Sequence, residues 1–137
     1  MTAAYTGGCA CGAIRYEISG EPMVSNDCQC RDCQRKSGTG HGSYLTFPRQ
    51  GVTLKGEAKH WEVAGDNGNV KTRAFCPTCG SPVYMTFGFT PDVFTVHAAS
   101  LDDPSRYKPQ VVTYAVRGYA WDYLDPALPR FDKMPPT

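Results

Sequence analysis

Seven cysteines fall into three tight groups along this chain: Cys9-Ala-Cys11, Cys28-Gln-Cys30-Arg-Asp-Cys33 and Cys76-Pro-Thr-Cys79. A thiolate is a soft, strongly donating ligand, so thiols at C-x-C and C-x-x-C spacing point to metal binding. A disulfide framework predicts an even count and a secretory route, and the partners of its bridges lie far apart in sequence. The odd count and close spacing argue against one, and a C-x-C pair closes too tight a ring for good disulfide geometry.

The spacing implies two metal sites. Cys76-Pro-Thr-Cys79-Gly80 has the form of a zinc knuckle, in which glycine after the second ligand lets backbone amides turn toward the sulfurs. Cys9-Ala-Cys11-Gly12 ends the same way. Joining these halves gives one four-cysteine zinc site and leaves Cys28, Cys30 and Cys33 as a trio. Metal binding of the first kind is worth on the order of 10–16 kcal/mol, comparable with the stability of a whole domain, so the metal-free chain is expected to be largely unfolded.

Three protein ligands with one open corner is the arrangement of catalytic zinc. Three thiolates around a dication leave a net charge near −1. Such a centre suits a further soft ligand, a substrate thiol, better than it suits making hydroxide. The alternative is a second structural site completed by an oxygen or nitrogen ligand, for which His41, Asp27 and Asp32 are the nearest candidates.

The elements that must position these groups read as β structure. Residues 13–19 alternate, with Ile14, Tyr16 and Ile18 on one face and Arg15 and Glu17 on the other. Further short strands are expected at 23–25, 43–47, 52–54, 60–63, 70–75, 83–87, 93–98 and 111–116, with a hairpin turn at 65–69. Helix is expected only at 30–36 and at 104–107, the latter after a capping box formed by Ser100 and Asp103. No repeat or linker divides the chain, so a single mainly β domain is the expected architecture.

Composition removes other classes. Fourteen basic and 13 acidic side chains give a net charge of +1, which supplies no field for nucleic acid. The first nine residues lack the basic and apolar regions of a signal peptide, and no apolar run approaches the ~20 residues that cross a bilayer. A cytoplasmic protein without a membrane or nucleic-acid partner is expected, and oligomeric state is not readable.

The strings Gly8-Cys-Ala-Cys-Gly-Ala-Ile-Arg-Tyr16, Cys28-x-Cys-x-x-Cys-x-x-x-Ser-Gly38 and Phe75-Cys-Pro-Thr-Cys-Gly80 resemble the glutathione-dependent formaldehyde-activating (GFA) enzymes, whose superfamily includes centromere protein V. Ser100-Leu-Asp-Asp-Pro104, Trp121 and Leu128-Pro-Arg-Phe131 agree with it. The resemblance implies a zinc-stapled β-tent of small antiparallel sheets, one domain over residues 1–137 with its core at 7–131. It also implies two zinc ions per chain, a structural one on Cys9, Cys11, Cys76 and Cys79 and a catalytic one on Cys28, Cys30 and Cys33. The implied activity joins a thiol, glutathione, to formaldehyde, a carbon–sulfur lyase reaction in reverse. After Pro109-Gln110 the chain departs from many relatives, with Val112 in place of a histidine and Tyr114 in place of a tryptophan.

The expected mechanism places the cosubstrate thiolate at the open corner, where it attacks the aldehyde carbon while a nearby group protonates the alkoxide. His41, after Thr39-Gly40, is the candidate proton donor. Arg31, Arg35 and Lys36 are candidates to attract substrate carboxylates, and Trp121 is a candidate pocket wall. His97 reads as a packed strand residue, and His60 has no assigned role.

Overall fold

The structure is a computed structural model that describes residues 4–135. Ten strands form two sheets. A three-stranded antiparallel sheet has the order β1 (Tyr5–Gly8), β2 (Arg15–Ile18), β5 (Val52–Lys55). A seven-stranded sheet has the order β10 (Val111–Thr113), β3 (Val24–Cys28), β4 (Gly42–Pro48), β9 (Val93–His97), β8 (Pro82–Phe87), β7 (Val70–Phe75), β6 (Lys59–Ala64). Every ladder is antiparallel except β10 with β3, which run parallel. One α-helix, α1 (Arg31–Ser37), and short 3-10 turns complete the described chain. The mainly β expectation holds.

Alternation explains the layers. Ile14, Tyr16 and Ile18 are buried as their spacing requires, while Glu17 faces solvent. They pack with Tyr5 against Leu45, Phe47, Phe94 and Val96 of the large sheet, forming the main core. Each such side chain contributes about 1.5–3 kcal/mol by leaving water. The opposite face of the large sheet carries polar and thiol groups instead. Cys28 stands across from Gly42, Tyr44 across from His97, and Arg73 across from Met85. Cys28, Cys33, Tyr44 and Met85 form a second, smaller buried cluster there. One sheet thus separates an apolar layer from the chemistry.

Three details differ from the sequence reading. The strand Tyr5–Gly8 was not expected, because Tyr-Thr-Gly-Gly has little β propensity; its glycine at 7 is needed by close approach, since a Cβ there would lie 2.3 Å from the Ser100 carbonyl oxygen. The expected strand over 111–116 stops at Thr113, because Tyr114 takes the left-handed conformation at φ 55° and Ala115–Arg117 coil into a 3-10 turn. The turn at Pro104–Arg106 is capped by Asp103 alone, which accepts from the Ser105 amide; Ser100 Oγ donates to the His97 carbonyl instead of forming the expected box.

Candidate metal centres

The first thiol group is assembled from two turns that leave β1 and β7. Cys9, Cys11, Cys76 and Cys79 bring their sulfurs within 4.8 Å of one another. Cys9 Sγ lies 3.7 Å from Cys11 Sγ, which lies 3.6 Å from Cys76 Sγ. A tetrahedron with Zn–S bonds of about 2.3 Å has edges of about 3.8 Å, so the donor set fits that ion. Backbone amides point at the sulfurs as the glycines allow. Ile14 N donates to Cys9 Sγ at 3.2 Å, and Thr78 N and Cys79 N donate to Cys76 Sγ, each at 3.4 Å. Gly12 and Gly80 hold φ of 83° and 77°, where other L-residues are strained. The hydroxyl of Ser81 sits 3.2 Å from Cys79 Sγ, and Ser81's hydrogen bonds draw that thiol down to about 5. Ser81 also accepts from Ala10 N at 3.1 Å and so ties the two turns together.

The second group spans the end of β3 and the start of α1. Cys28, Cys30 and Cys33 also hold their sulfurs within 4.8 Å of one another. Cys30 is the N-cap of α1, and its Sγ accepts from Cys33 N at 3.3 Å. The helix is therefore started by a member of the trio, with the sulfur taking the place of the usual capping oxygen. Gly38 ends it at φ 80°. Hydrogen bonds from Cys28 and Cys30, and the charge of Lys71, hold the Cys33 thiol far below its ordinary range; contacts with Cys30 and Cys33 push Cys28 up.

No histidine, aspartate or glutamate among the described residues joins this trio as a fourth ligand. The three candidates are engaged elsewhere. Asp27 accepts from Ser43 Oγ and Tyr107 Oη, both at 2.7 Å. Asp32 accepts from Arg73 Nε at 2.7 Å and pairs with Lys71 Nζ at 3.0 Å. His41 Nδ1 lies 2.9 and 3.0 Å from the two carboxylate oxygens of Asp122. A carboxylate only accepts, so Nδ1 carries the proton and Nε2 is left free.

Two residues that sequence reasoning did not single out complete the surroundings. Arg73 Nη2 donates to Cys33 Sγ at 3.4 Å from β7, and Asp122 orients His41 while accepting from Gln29 Nε2 at 3.1 Å. Neither carries a local signal, being 40 and 81 residues from the partner it serves. Two clefts adjoin this region. The larger, about 710 Å³, is lined by His41, Ser43, Lys36, His97 and residues beside the four-cysteine group. The smaller, about 230 Å³, is lined by Arg35, Lys36, Arg73 and His97. His97 faces both clefts, and burial draws its imidazole down to about 4. It is a buried strand residue packed edge-on against Tyr44, as the sequence suggests. Arg31 Nη1 donates to Gln34 Oε1, and the residue lines neither of these clefts. Trp121 is 59% exposed, stacked on Tyr119 with centroids 5.4 Å apart, and also lines neither. His60 is exposed on β6.

The fold and its thiols define a mainly β protein with two cysteine clusters, each able to hold a metal ion. A family model described as glutathione-dependent formaldehyde-activating enzyme matches residues 4–117, and the chain belongs to that family. A crystal structure of a Rhodobacter sphaeroides protein is similar in fold, with a TM-score of 0.56 at 21% identity over 71% of this chain and 87% of that one. No helix among the described residues is long and apolar enough to cross a membrane.

Proposed function

We propose that this chain is a zinc-dependent enzyme of the carbon–sulfur lyase type that adds a thiol, glutathione or one similar, to formaldehyde or another small aldehyde. Cys9, Cys11, Cys76 and Cys79 hold a structural zinc, and Cys28, Cys30 and Cys33 hold a catalytic one. The observation that supports this most is the trio itself: three thiols gathered at one point, with Asp27, Asp32 and His41 each committed to another partner. When bound there, zinc supplies a Lewis-acidic centre suited to a thiolate.

In the reaction the sulfur–carbon bond forms as the carbonyl π bond breaks, and the oxygen takes up a proton. Asp122 holds His41 with Nε2 unprotonated, so His41 is the proposed relay: Nε2 takes the proton the thiol loses and, as imidazolium, donates it to the alkoxide. Arg35 and Lys36 flank the smaller cleft and supply positive charge for a carboxylate-bearing substrate. Arg31 and Trp121 remain proposed substrate contacts from outside these two clefts. Seven unpaired thiols are kept reduced most readily in the cytoplasm, the compartment proposed here.

One observation favours a second reading, a non-catalytic zinc-stabilised binding module: none of the trio's sulfurs lines either cleft. Exchange spectroscopy of formaldehyde with glutathione separates the two. The enzyme reading expects the zinc-loaded protein to accelerate exchange and Cys33→Ser to abolish the effect. No acceleration by protein carrying two zinc ions would leave the module.

A further inference from the structure

The metal-site reading leaves two buried groups without a task. Nη1 of Arg73 and the hydroxyl of Tyr44 are the two buried side-chain polar atoms that lack a hydrogen-bond partner among the described residues. Arg73 is 4% exposed and Tyr44 2%. Tyr44 lies against Arg73 and Cys33 and interacts with both, but neither Nη1 nor the hydroxyl makes a well-formed hydrogen bond, and buried donors so weakly satisfied on one sheet face favour an acceptor that arrives.

Both groups flank Cys33. Arg73 reaches it with Nη2 at 3.4 Å, and Tyr44 packs with Cys28 and Cys33 in the same cluster. The room for the hydroxyl is specific. Gly42 has no unusual φ, yet a Cβ at that position would lie 2.1 Å from Tyr44 Oη. Glycine at 42, directly across from Cys28, is thus required by the hydroxyl rather than by the backbone. Asp32 alone does not cancel the charge of Arg73. Asp32 is shared between Arg73 and Lys71, so two cations face one carboxylate, and the surplus positive charge lies against the trio.

We propose that Arg73 and Tyr44 make the trio an anion-receiving corner: two preorganised donors that take up the negative charge brought by a fourth, anionic ligand, either a thiolate or a small inorganic anion. This rests on reading the trio as a metal centre with one open corner. Three thiolates on a dication already carry a net charge of −1, and a fourth anion raises it to −2. A buried cation and a hydroxyl at that point make such an addition tolerable, where the exposed Arg35 and Lys36 are screened by water.

The test uses full-length protein loaded with cobalt(II), whose visible bands report ligation at the trio. Wild type and the variants Arg73→Gln, Arg73→Lys and Tyr44→Phe are titrated separately with 2-mercaptoethanol, azide and neutral imidazole. Retained bands of the four-cysteine site show that each variant is folded. The expected result is that Arg73→Gln weakens both anions tenfold or more and leaves imidazole unchanged. Arg73→Lys falls between, and Tyr44→Phe weakens both anions several-fold. Unchanged anion affinity in Arg73→Gln, or an equal loss for imidazole, overturns the proposal. If Arg73→Gln does not fold, unchanged anion affinity in both other variants overturns it. Wild type that binds azide but no thiol upholds the anion corner and removes the thiol-transfer reading; wild type that binds neither anion overturns the anion corner.

Discussion

Nη2 of Arg73 lies 3.4 Å from Sγ of Cys33, a contact between residues 40 positions apart on β7 and α1. It depends on Asp32, which accepts from Arg73 Nε at 2.7 Å and also pairs with Lys71. Replacing Asp32 with Asn leaves two partly buried cations without their counter-charge. The expected loss is about 2–3 kcal/mol in urea denaturation of the metal-loaded protein, below the full cost of breaking a buried pair because Asp32 retains some solvent contact. A loss under about 0.5 kcal/mol would show that the network does not hold the helix to the sheet.

The two thiol clusters differ in what their loss does. Cys76→Ser removes a buried ligand from the site that joins the turns after β1 and β7, and the protein is expected to be unfolded or insoluble. Cys30→Ser keeps a capping group at the start of α1, because serine caps well, so a folded chain that has lost one metal equivalent is expected. Circular dichroism with metal analysis reads both. A folded Cys76→Ser chain would contradict the structural role.

His97 gives the fold a pH dependence. Burial first, then the charge of Arg73, draws its imidazole from 6.5 to about 4. In the unfolded chain it takes up a proton near 6.5 and in the folded chain only near 4, so the neutral ring's stabilisation is complete above 6.5. It falls away as pH drops toward 4 and levels off below that. The full effect is about 3 kcal/mol. His97→Phe, which keeps a ring against Tyr44, is expected to flatten the stability profile across this window. Parallel profiles for the two proteins would refute it.

Asp122 acts through His41. Asp122→Asn retains the size of the side chain but lets the amide offer a donor to Nδ1, which releases the tautomer that leaves Nε2 free. The expected outcome is a fall in turnover of about tenfold or more, with thiol affinity unchanged. A change confined to KM would place His41 in binding instead.

What the sequence made readable followed from local pattern. The seven cysteines declared their partition through spacing, Ile14-x-Tyr16-x-Ile18 declared a half-buried strand, and residues 65–69 declared the turn between β6 and β7, closed by Gly65 N donating to Asn69 O at 2.9 Å. Groups that act across the fold left no such trace. Arg73 reads as one polar position in an alternating strand, and its burial follows only from which face of the large sheet α1 covers. Asp122 lies in irregular chain, and its pairing with His41 depends on Gly40, where a Cβ would lie 2.4 Å from the carboxyl carbon of Asp122. Tyr114 breaks its expected strand because tertiary contacts decide its backbone: its hydroxyl reaches Asp66 at 3.0 Å and its amide donates to the Lys133 carbonyl at 3.1 Å.

Anomalous diffraction at the zinc edge tests the four-plus-three partition most directly. Crystals of the zinc-loaded protein should show two separate peaks, one ringed by Cys9, Cys11, Cys76 and Cys79, the other held by Cys28, Cys30 and Cys33 with its remaining corner filled by a non-protein ligand. A single peak, or a side chain of this protein filling that corner, would contradict it.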